Sequence, residues 1–467
     1  MKPATRILAM LLALSLILPV CGAASAAQKG ATLWVVTEET PSGGMLGLIQ
    51  DLAARFPETV SGTAGPVEVR VDVLPTEEDA RADYLKDLRA QIAQGGGPDV
   101  YLLPTDNALT LDHPKKYTYR RVEPLFPDVD AAMAAGTFLD LKSWYDADKD
   151  LPAVQETVMA AGVLEDARYV LPLRYNIPVL FAWEDFGDKL PEEVQTSGFG
   201  DWMEYLVKTG DKVLACAGER RPSALFGDVT AQTLPTQEDL QTYLALVQKI
   251  TALIGAEFDH RAAPSLGLYQ NGHDPYPVQV ATLDTALACQ AMAKAEGKQL
   301  TILPLPTMAG NILATVKFYG AVGAGCKTPD LAYAFLRQFL TEDAQWEKGR
   351  EDPDTGLSNG GLIARGWPVA AKGSVAPLWE VCKKTALAED LTPAGGTARR
   401  EKLQKITMDD GNLPILETKI DLARFPLPDT VNTVLGKLND PRTGAPTDAD
   451  LSVLAQELLS QLKEACK

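Results

Sequence analysis

The sequence predicts an α/β fold, and three segments carry that expectation. Thr32 to Thr37 (TLWVVT) is apolar and β-branched, a first strand. Val67 to Leu74 (VEVRVDVL) alternates strictly between apolar and charged residues, the period of a strand with one wetter face. Tyr84 to Pro104 (YLKDLRAQIAQGGGPDVYLLP) reads as an amphipathic helix, a glycine stop and a buried strand. Strands that alternate with helices build a sheet with parallel members.

Met45 to Phe56 follows the first strand as a helix. In the third segment Leu85, Leu88 and Ile92 share one helical face, with Lys86, Asp87, Arg89 and Gln91 off it. Gly95, Gly96 and Gly97 end that helix, because glycine enters the left-handed cap freely. Val100 to Leu103 is apolar at every position, as in a strand covered on both faces. Ligands of open α/β sheets sit beyond the carboxyl ends of such strands, which marks the place just after Leu103. Asp106 to Pro127 is polar, rich in Lys, Tyr and Pro, and expected to be irregular. Residues 201–216, 236–254 and 282–296 read as helices, with Leu240, Leu244, Val247 and Ile250 at helical spacing. Ala449 to Ala465 is a final helix with Leu451, Leu454, Leu458 and Leu462 on one side. Residues 350–366 and 388–400 read as loops, and no internal repeat is visible.

At 467 residues the chain can form two to three domains. A net charge of −18 repels nucleic acid and anionic lipid, which counts against a nucleic-acid role. At the N-terminus Lys2 and Arg6 precede an apolar run from Ile7 to Val20, too short to span a bilayer, and then small residues. Residues 1–26 therefore read as a secretory signal peptide. Two processing patterns fit. Ala24-Ser25-Ala26 suits ordinary cleavage, and Leu18-Pro19-Val20-Cys21 suits a lipoprotein box that would lipidate Cys21. No later segment is apolar enough to span a membrane, so attachment would be through lipid or a partner.

Catalytic and metal patterns are missing. Cys216, Cys289, Cys326, Cys382 and Cys466 form no CxxC pair and no metal spacing. His113, His260 and His273 form no HExxH. There is no G-x-S-x-G elbow, and the triple glycine lacks the Lys-Ser/Thr of a phosphate loop. Adjacent acids such as Glu38/Glu39 and Asp409/Asp410 do not place two carboxylates across a glycosidic bond. The expectation is binding without chemistry, with no cofactor and no metal.

Four segments in order carry a family resemblance. The helix, Gly-rich turn and Gly97-Pro98-Asp99-Val100 strand come first. Phe138-Leu139-Asp140-Leu141, Trp144-Tyr145 and Asp148-Lys149-Asp150-Leu151 follow. Arg168 to Asn176 (RYVLPLRYN) with Val179-Leu180-Phe181 is third. Thr301 to Pro306 (TILPLP), Tyr319-Gly320 and Pro329 to Gln345 close the series. Together they resemble the extracellular solute-binding proteins of ABC importers, the maltose-binding-protein-like sugar type, over about residues 30 to 350. The resemblance implies a two-lobe, type II periplasmic-binding-protein-like α/β fold. Each lobe would be a mainly parallel sheet flanked by helices, joined by crossing hinge strands. Lobe one would be 28–170 plus 307–345, and lobe two 171–306 plus 346–467. The Val170–Leu173 and Leu303–Pro306 segments would be hinges, and their prolines argue against ordinary central ladder strands.

The resemblance also implies a small solute, a carbohydrate by default, captured between the lobes and delivered to ABC permease subunits by a monomeric, secreted or lipid-anchored protein. An anionic solute, or a non-transport adhesion or scaffold role on the same fold, are the alternatives. Candidate ligand-binding residues are Glu38 and Glu39 after the first strand, Asp106, Arg174, Tyr175, Tyr319 and Trp367. Asp106 suits ligand hydroxyls or a turn cap. Arg174 suits a carboxylate or phosphate, or a salt bridge within the protein. Tyr175 suits stacking on a sugar or hinge packing, and Tyr319 and Trp367 an aromatic wall or the core. Leu103 stands where maltose binders carry a stacking Trp, which counts against a maltodextrin.

Overall fold

A computed structural model describes residues 30–38, 44–60, 66–105, 108–111, 118–183, 198–211, 233–254, 278–283, 300–345, 366–370, 419–427 and 447–465, with isolated positions between them. The leader with Cys21, Glu39, Asp106, four of the cysteines and the two long loops read after residue 350 lie outside the described residues. The strands are β1 Ala31–Thr37, β2 Val67–Val73, β3 Val100–Pro104, β4 Ala108–Leu111, β5 Thr118–Arg121, β6 Val163–Leu164 and β7 Ala167–Arg168. They continue as β8 Val170–Asn176, β9 Pro178–Trp183, β10 Val278–Thr282, β11 Leu300–Pro304, β12 Leu313–Val322, β13 Trp367–Pro368 and β14 Leu422–Arg424. The helices used below are α1 Gly44–Thr59, α2 Glu78–Ala93, α3 Val129–Ala134, α4 Phe199–Thr209, α5 Gln237–Ile254, α6 Pro329–Arg337, α7 Glu342–Gln345 and α8 Asp448–Ala465.

Two sheets organise the chain. The larger runs β13-β8-β12-β3-β1-β2, with β14 against β12. The smaller runs β10-β9-β11. This is the expected two-sheet α/β fold, but the larger sheet is mixed rather than mainly parallel. β1 is parallel to β2 and β3, and β14 to β12, whereas β12 is antiparallel to both β3 and β8. The reason is topological. The chain re-enters the larger sheet from the smaller one, at the edge where β3 and β8 end, so β12 must run against them. The smaller sheet is antiparallel at both of its pairings, since β9 lies between two strands that run back past it.

The larger sheet is buried on both faces. Leu33, Val35 and Leu102 pack with Ile49 and Phe56 of α1 and with Phe335 of α6. Val36, Tyr101, Leu103 and Tyr319 pack with Leu85 and Leu88 of α2 and Met133 of α3. Helix α2 ends as its glycines require. Gly95 and Gly97 take φ of 76° and 99°, and a Cβ at Gly97 would meet Ile92 Cγ1 at 2.9 Å. A separate apolar core joins Leu180 and Leu305 to Trp202 of α4, Leu240, Leu244 and Val247 of α5, and Leu451, Leu458 and Leu462 of α8.

Two further readings need correction. Asp106 to Pro127 is not wholly irregular: β4 and β5 form an antiparallel ribbon there, from Ala108↔Arg121 to Leu111↔Thr118. Val170–Leu173 is not outside the ladders, because β8 pairs with β12 on one side and β13 on the other. Pro172 is accommodated by slippage. The register jumps from Phe318↔Arg174 to Tyr319↔Pro172, and β13 reaches only Tyr175 and Arg174. The Pro329 to Gln345 stretch is divided into α6, a 3-10 turn at Gln338–Leu340 and α7. Residues 171–176, 366–370 and 419–425 thus stand with strands of the 28–170 and 307–345 stretches in one sheet.

Candidate functional site

β1, β3 and β8 end at one edge of the larger sheet, and β12 begins there. That carboxyl-terminal edge is where ligands meet open α/β sheets. It is also where the chain leaves for the smaller sheet, one residue separating Asn176 of β8 from Pro178 of β9. Thr105, just past β3, ties the edge together: its amide donates to the Lys317 carbonyl at 2.9 Å and its hydroxyl to the Val316 carbonyl at 2.6 Å.

The described candidates all lie on strands of this sheet or just beyond one, near the edge, but in two groups. Glu38, directly after β1, is 3% exposed. Its Oε1 accepts from Arg81 Nη2 at 2.8 Å, and the same guanidinium donates to the carbonyls of Glu123 at 2.7 Å and Pro75 at 3.1 Å. Burial pushes the Tyr319 hydroxyl far above its ordinary value, and the nearby Glu38 carboxylate adds to the shift. Tyr319 packs edge-on against Phe425, with ring centroids 5.5 Å apart.

The second group stands on β8 and β13. Arg174 is 1% exposed. Its Nη2 donates to the Gln345 carbonyl at 3.0 Å and its Nη1 to the Leu173 carbonyl at 3.1 Å. Gln345 closes the knot by donating to Phe339 O at 2.6 Å and accepting from Ala370 N at 3.2 Å. Tyr175 and Trp367 are cross-strand partners, an aromatic pair at the edge. Burial raises the Tyr175 hydroxyl to about 12. Gly366 is required beside them, at φ 92° with only 2.6 Å between an added Cβ and the Tyr175 carbonyl. The indole N–H of Trp367 is buried without a hydrogen-bond partner.

No family model matches the chain, and no curated protein matches it. Solved structures do match. An extracellular solute-binding protein of family 1 from Alicyclobacillus acidocaldarius is 13% identical at a TM-score of 0.50, covering 93% of this chain and 99% of that one. A sugar transporter protein from Rhizobium etli, solved in an open conformation, is 15% identical at 0.50, covering 94% and 99%. This chain has the solute-binding-protein fold. The chain passes from the larger sheet to the smaller one at the edge described here. Among the described residues no group of His, Cys, Asp and Glu is placed to hold a metal ion, and no helix is long and apolar enough to cross a membrane.

Several residues of the edge escape sequence reading. Arg81 looks like one more surface charge of α2, yet it shares the helical face of Leu85, Leu88 and Ile92, and that spacing was the available signal. Asn176 does double work at the crossing. Its Oδ1 accepts from Ile177 N at 3.0 Å and from Leu283 N, across the sheets, at 3.1 Å. The chain of Asp228, Thr307 and Asn311 beside the second crossing joins residues up to 83 positions apart and left no local pattern.

Proposed function

We propose that this protein is the solute-binding component of an ABC importer. It captures a small solute between two lobes and surrenders it to permease subunits, with no chemistry done to the solute. The observation that carries the reading is the set of short crossings at one carboxyl-terminal edge, in a chain whose fold matches solute-binding proteins along nearly their whole length. Lobe one would hold the larger sheet, and lobe two the smaller sheet with α4, α5 and α8. A carbohydrate is the preferred ligand class, in keeping with the likeness to the Rhizobium etli sugar transporter protein. Tyr175 and Trp367, 9% and 4% exposed as they stand, are proposed to form a stacking surface when the lobes part, with Glu39 and Asp106 as proposed acceptors for solute hydroxyls. Glu38, Arg174 and Tyr319 would support that surface from within, in keeping with their burial and internal partners. The N-terminal leader would direct export, ending in cleavage after Ala26 or lipidation of Cys21.

The reading is tested by a thermal-shift screen over monosaccharides, oligosaccharides, polyols and small anions, followed by calorimetry. A single solute class should raise the melting temperature in proportion to the logarithm of its concentration. Affinity is expected near micromolar, about −8 kcal/mol, because the solute must be released again. Tyr175→Ala should weaken binding while the fold is kept. Absence of any solute response, or turnover of the solute, would overturn the reading.

A further inference from the structure

The passages between the two sheets are short, and side chains hold the chain close to both ends of each. At the first, Asn176 is still paired to Thr315 of β12, Ile177 accepts through its carbonyl from Leu283 N at 3.0 Å, and Pro178 is already paired to Thr282. One residue, Ile177, lies between the two ladders.

At the second, β11 ends at Pro304 and Leu305 N donates to Pro178 O at 3.0 Å. A turn from Thr307 to Asn311 follows. Thr307 N donates to Asn311 O at 2.9 Å, and Asn311 N to Thr307 Oγ1 at 3.1 Å. The Asp228 carboxylate accepts from the Thr307 hydroxyl and, at 3.0 Å, from Asn311 Nδ2. Asp228 is buried in the chain between Phe226 and Val229, which belong to or pack on the second core, and Met308 packs on the same core. The very next residue belongs to the other body. Ile312 N donates to Asp421 Oδ2 at 2.9 Å and Asp421 N to Ile312 O at 3.0 Å, directly before the β12–β14 ladder. The change of allegiance therefore falls on the peptide between Asn311 and Ile312.

The third passage repeats the pattern. Phe425 packs with Tyr319 in the core of the larger sheet, and Leu427 packs against the second core, with Pro426 between them. Ile177 follows β8 and Ile312 precedes β12 at the same end of their antiparallel ladder, whereas Pro426 follows β14, which starts beside Leu313 and runs parallel to β12.

On the solute-binding reading the two lobes move about these passages. We propose that Asp228 is the positioning residue that confines the second bend to the Asn311–Ile312 peptide. With its two hydrogen bonds in place, the 307–311 turn travels as part of lobe two. Without them the turn becomes extra hinge, and the lobes sample a wider range. The inference takes its purpose from the solute-binding reading, but its test uses no solute, so the two can fail separately.

The test is amide hydrogen exchange and small-angle X-ray scattering on the unliganded full chain, comparing wild type with Asn311→Ala and Asp228→Asn. Asn311→Ala removes one donor to Asp228, and Asp228→Asn keeps the shape while weakening both bonds. Exchange in peptides covering 305–311 should rise at least about tenfold in Asn311→Ala and less in Asp228→Asn. Peptides covering 312–322, α4 and α5 should keep wild-type protection, and the scattering curve should show a larger maximum dimension. Unchanged exchange over 305–311 would overturn the proposal. Equal loss of protection in α4 and α5 would also overturn it, since Asp228 would then merely stabilise the second core. An unchanged scattering curve with a loosened turn would overturn the link to lobe motion.

Discussion

The two halves of this molecule are held together by different means. Around the larger sheet, buried charge and amide groups cluster at the carboxyl-terminal edge: Glu38 with Arg81, Arg174 with Gln345, and Asn176. Among the described residues the second core is built almost wholly from apolar and aromatic side chains of α4, α5 and α8, with Asp228 and Thr307 at its border with the crossing. Apolar contact makes a body cohere without fixing directions, whereas hydrogen-bonded charge fixes them. On the proposed reading, the difference makes the larger sheet's edge the pre-organised wall and the second body the partner that moves against it. Apolar contact also runs between them through Ile177 and Val179.

Breaking the charge cluster should have the largest effect. Arg81→Met leaves Glu38 buried without its cation and should cost about 3–5 kcal/mol in urea unfolding. The double change Arg81→Met with Glu38→Leu should recover most of the loss, because the unpaired charge and not the missing contact is the source of the cost. No recovery in the double variant would mean the pair is valued for orientation instead.

Truncating the second core sharpens the contrast from the other side. Leu244→Ala, fully buried in α5, should cost about 2–5 kcal/mol. Because the cores are distinct, the loss should separate unfolding into two transitions, the earlier one carrying Trp202 and the later one the larger sheet. A single shifted transition would show that the halves melt as one.

Alkali probes the edge itself. Tyr175 has its hydroxyl raised by burial to about 12, against an ordinary value of 10.0. The unfolded chain loses that proton first. The contribution is therefore complete below pH 10 and is lost as pH rises toward 12, by up to about 2–3 kcal/mol. Tyr175→Phe should flatten that part of the profile in stability measured between pH 9 and 12. An unchanged profile would place the titration on other tyrosines.

The smallest effect expected is a gain. Glu165 and Asp166, between β6 and β7, sit at φ of 49° and 69°, where side chains other than glycine are strained. Asp166→Gly should stabilise by about 1 kcal/mol, read as a higher denaturant midpoint with an unchanged slope.

Much of the fold was legible because local pattern and final environment agree. β1, β2 and β3 carry their strand periods openly, and α2, α5 and α8 carry unbroken apolar faces that end up buried. Pairing was less legible. That β12 runs between β3 and β8 depends on contacts across more than a hundred residues, which no local period encodes. The β4–β5 ribbon was hidden because its strands are short and lie in a polar, proline-containing stretch. At the edge, residue type singled out positions but not their partners. Arg174 was read for a solute or an acidic side chain, and among its described bonds it donates to backbone carbonyls at the end of α7. A long guanidinium looks the same in sequence whether it meets a ligand or a helix terminus.

The late position of β12 has a further consequence for biogenesis. β3 and β8 share this one neighbour, and the Thr105–Val316 bond alone spans 211 positions. Until the ribosome has passed residue 322, the middle of the larger sheet is missing and two strands lie with open flanks. A topology so dependent on distant segments collapses slowly. For a polypeptide that the proposed route threads unfolded through a translocation channel, that delay is an asset: the chain stays threadable until most of it has been made.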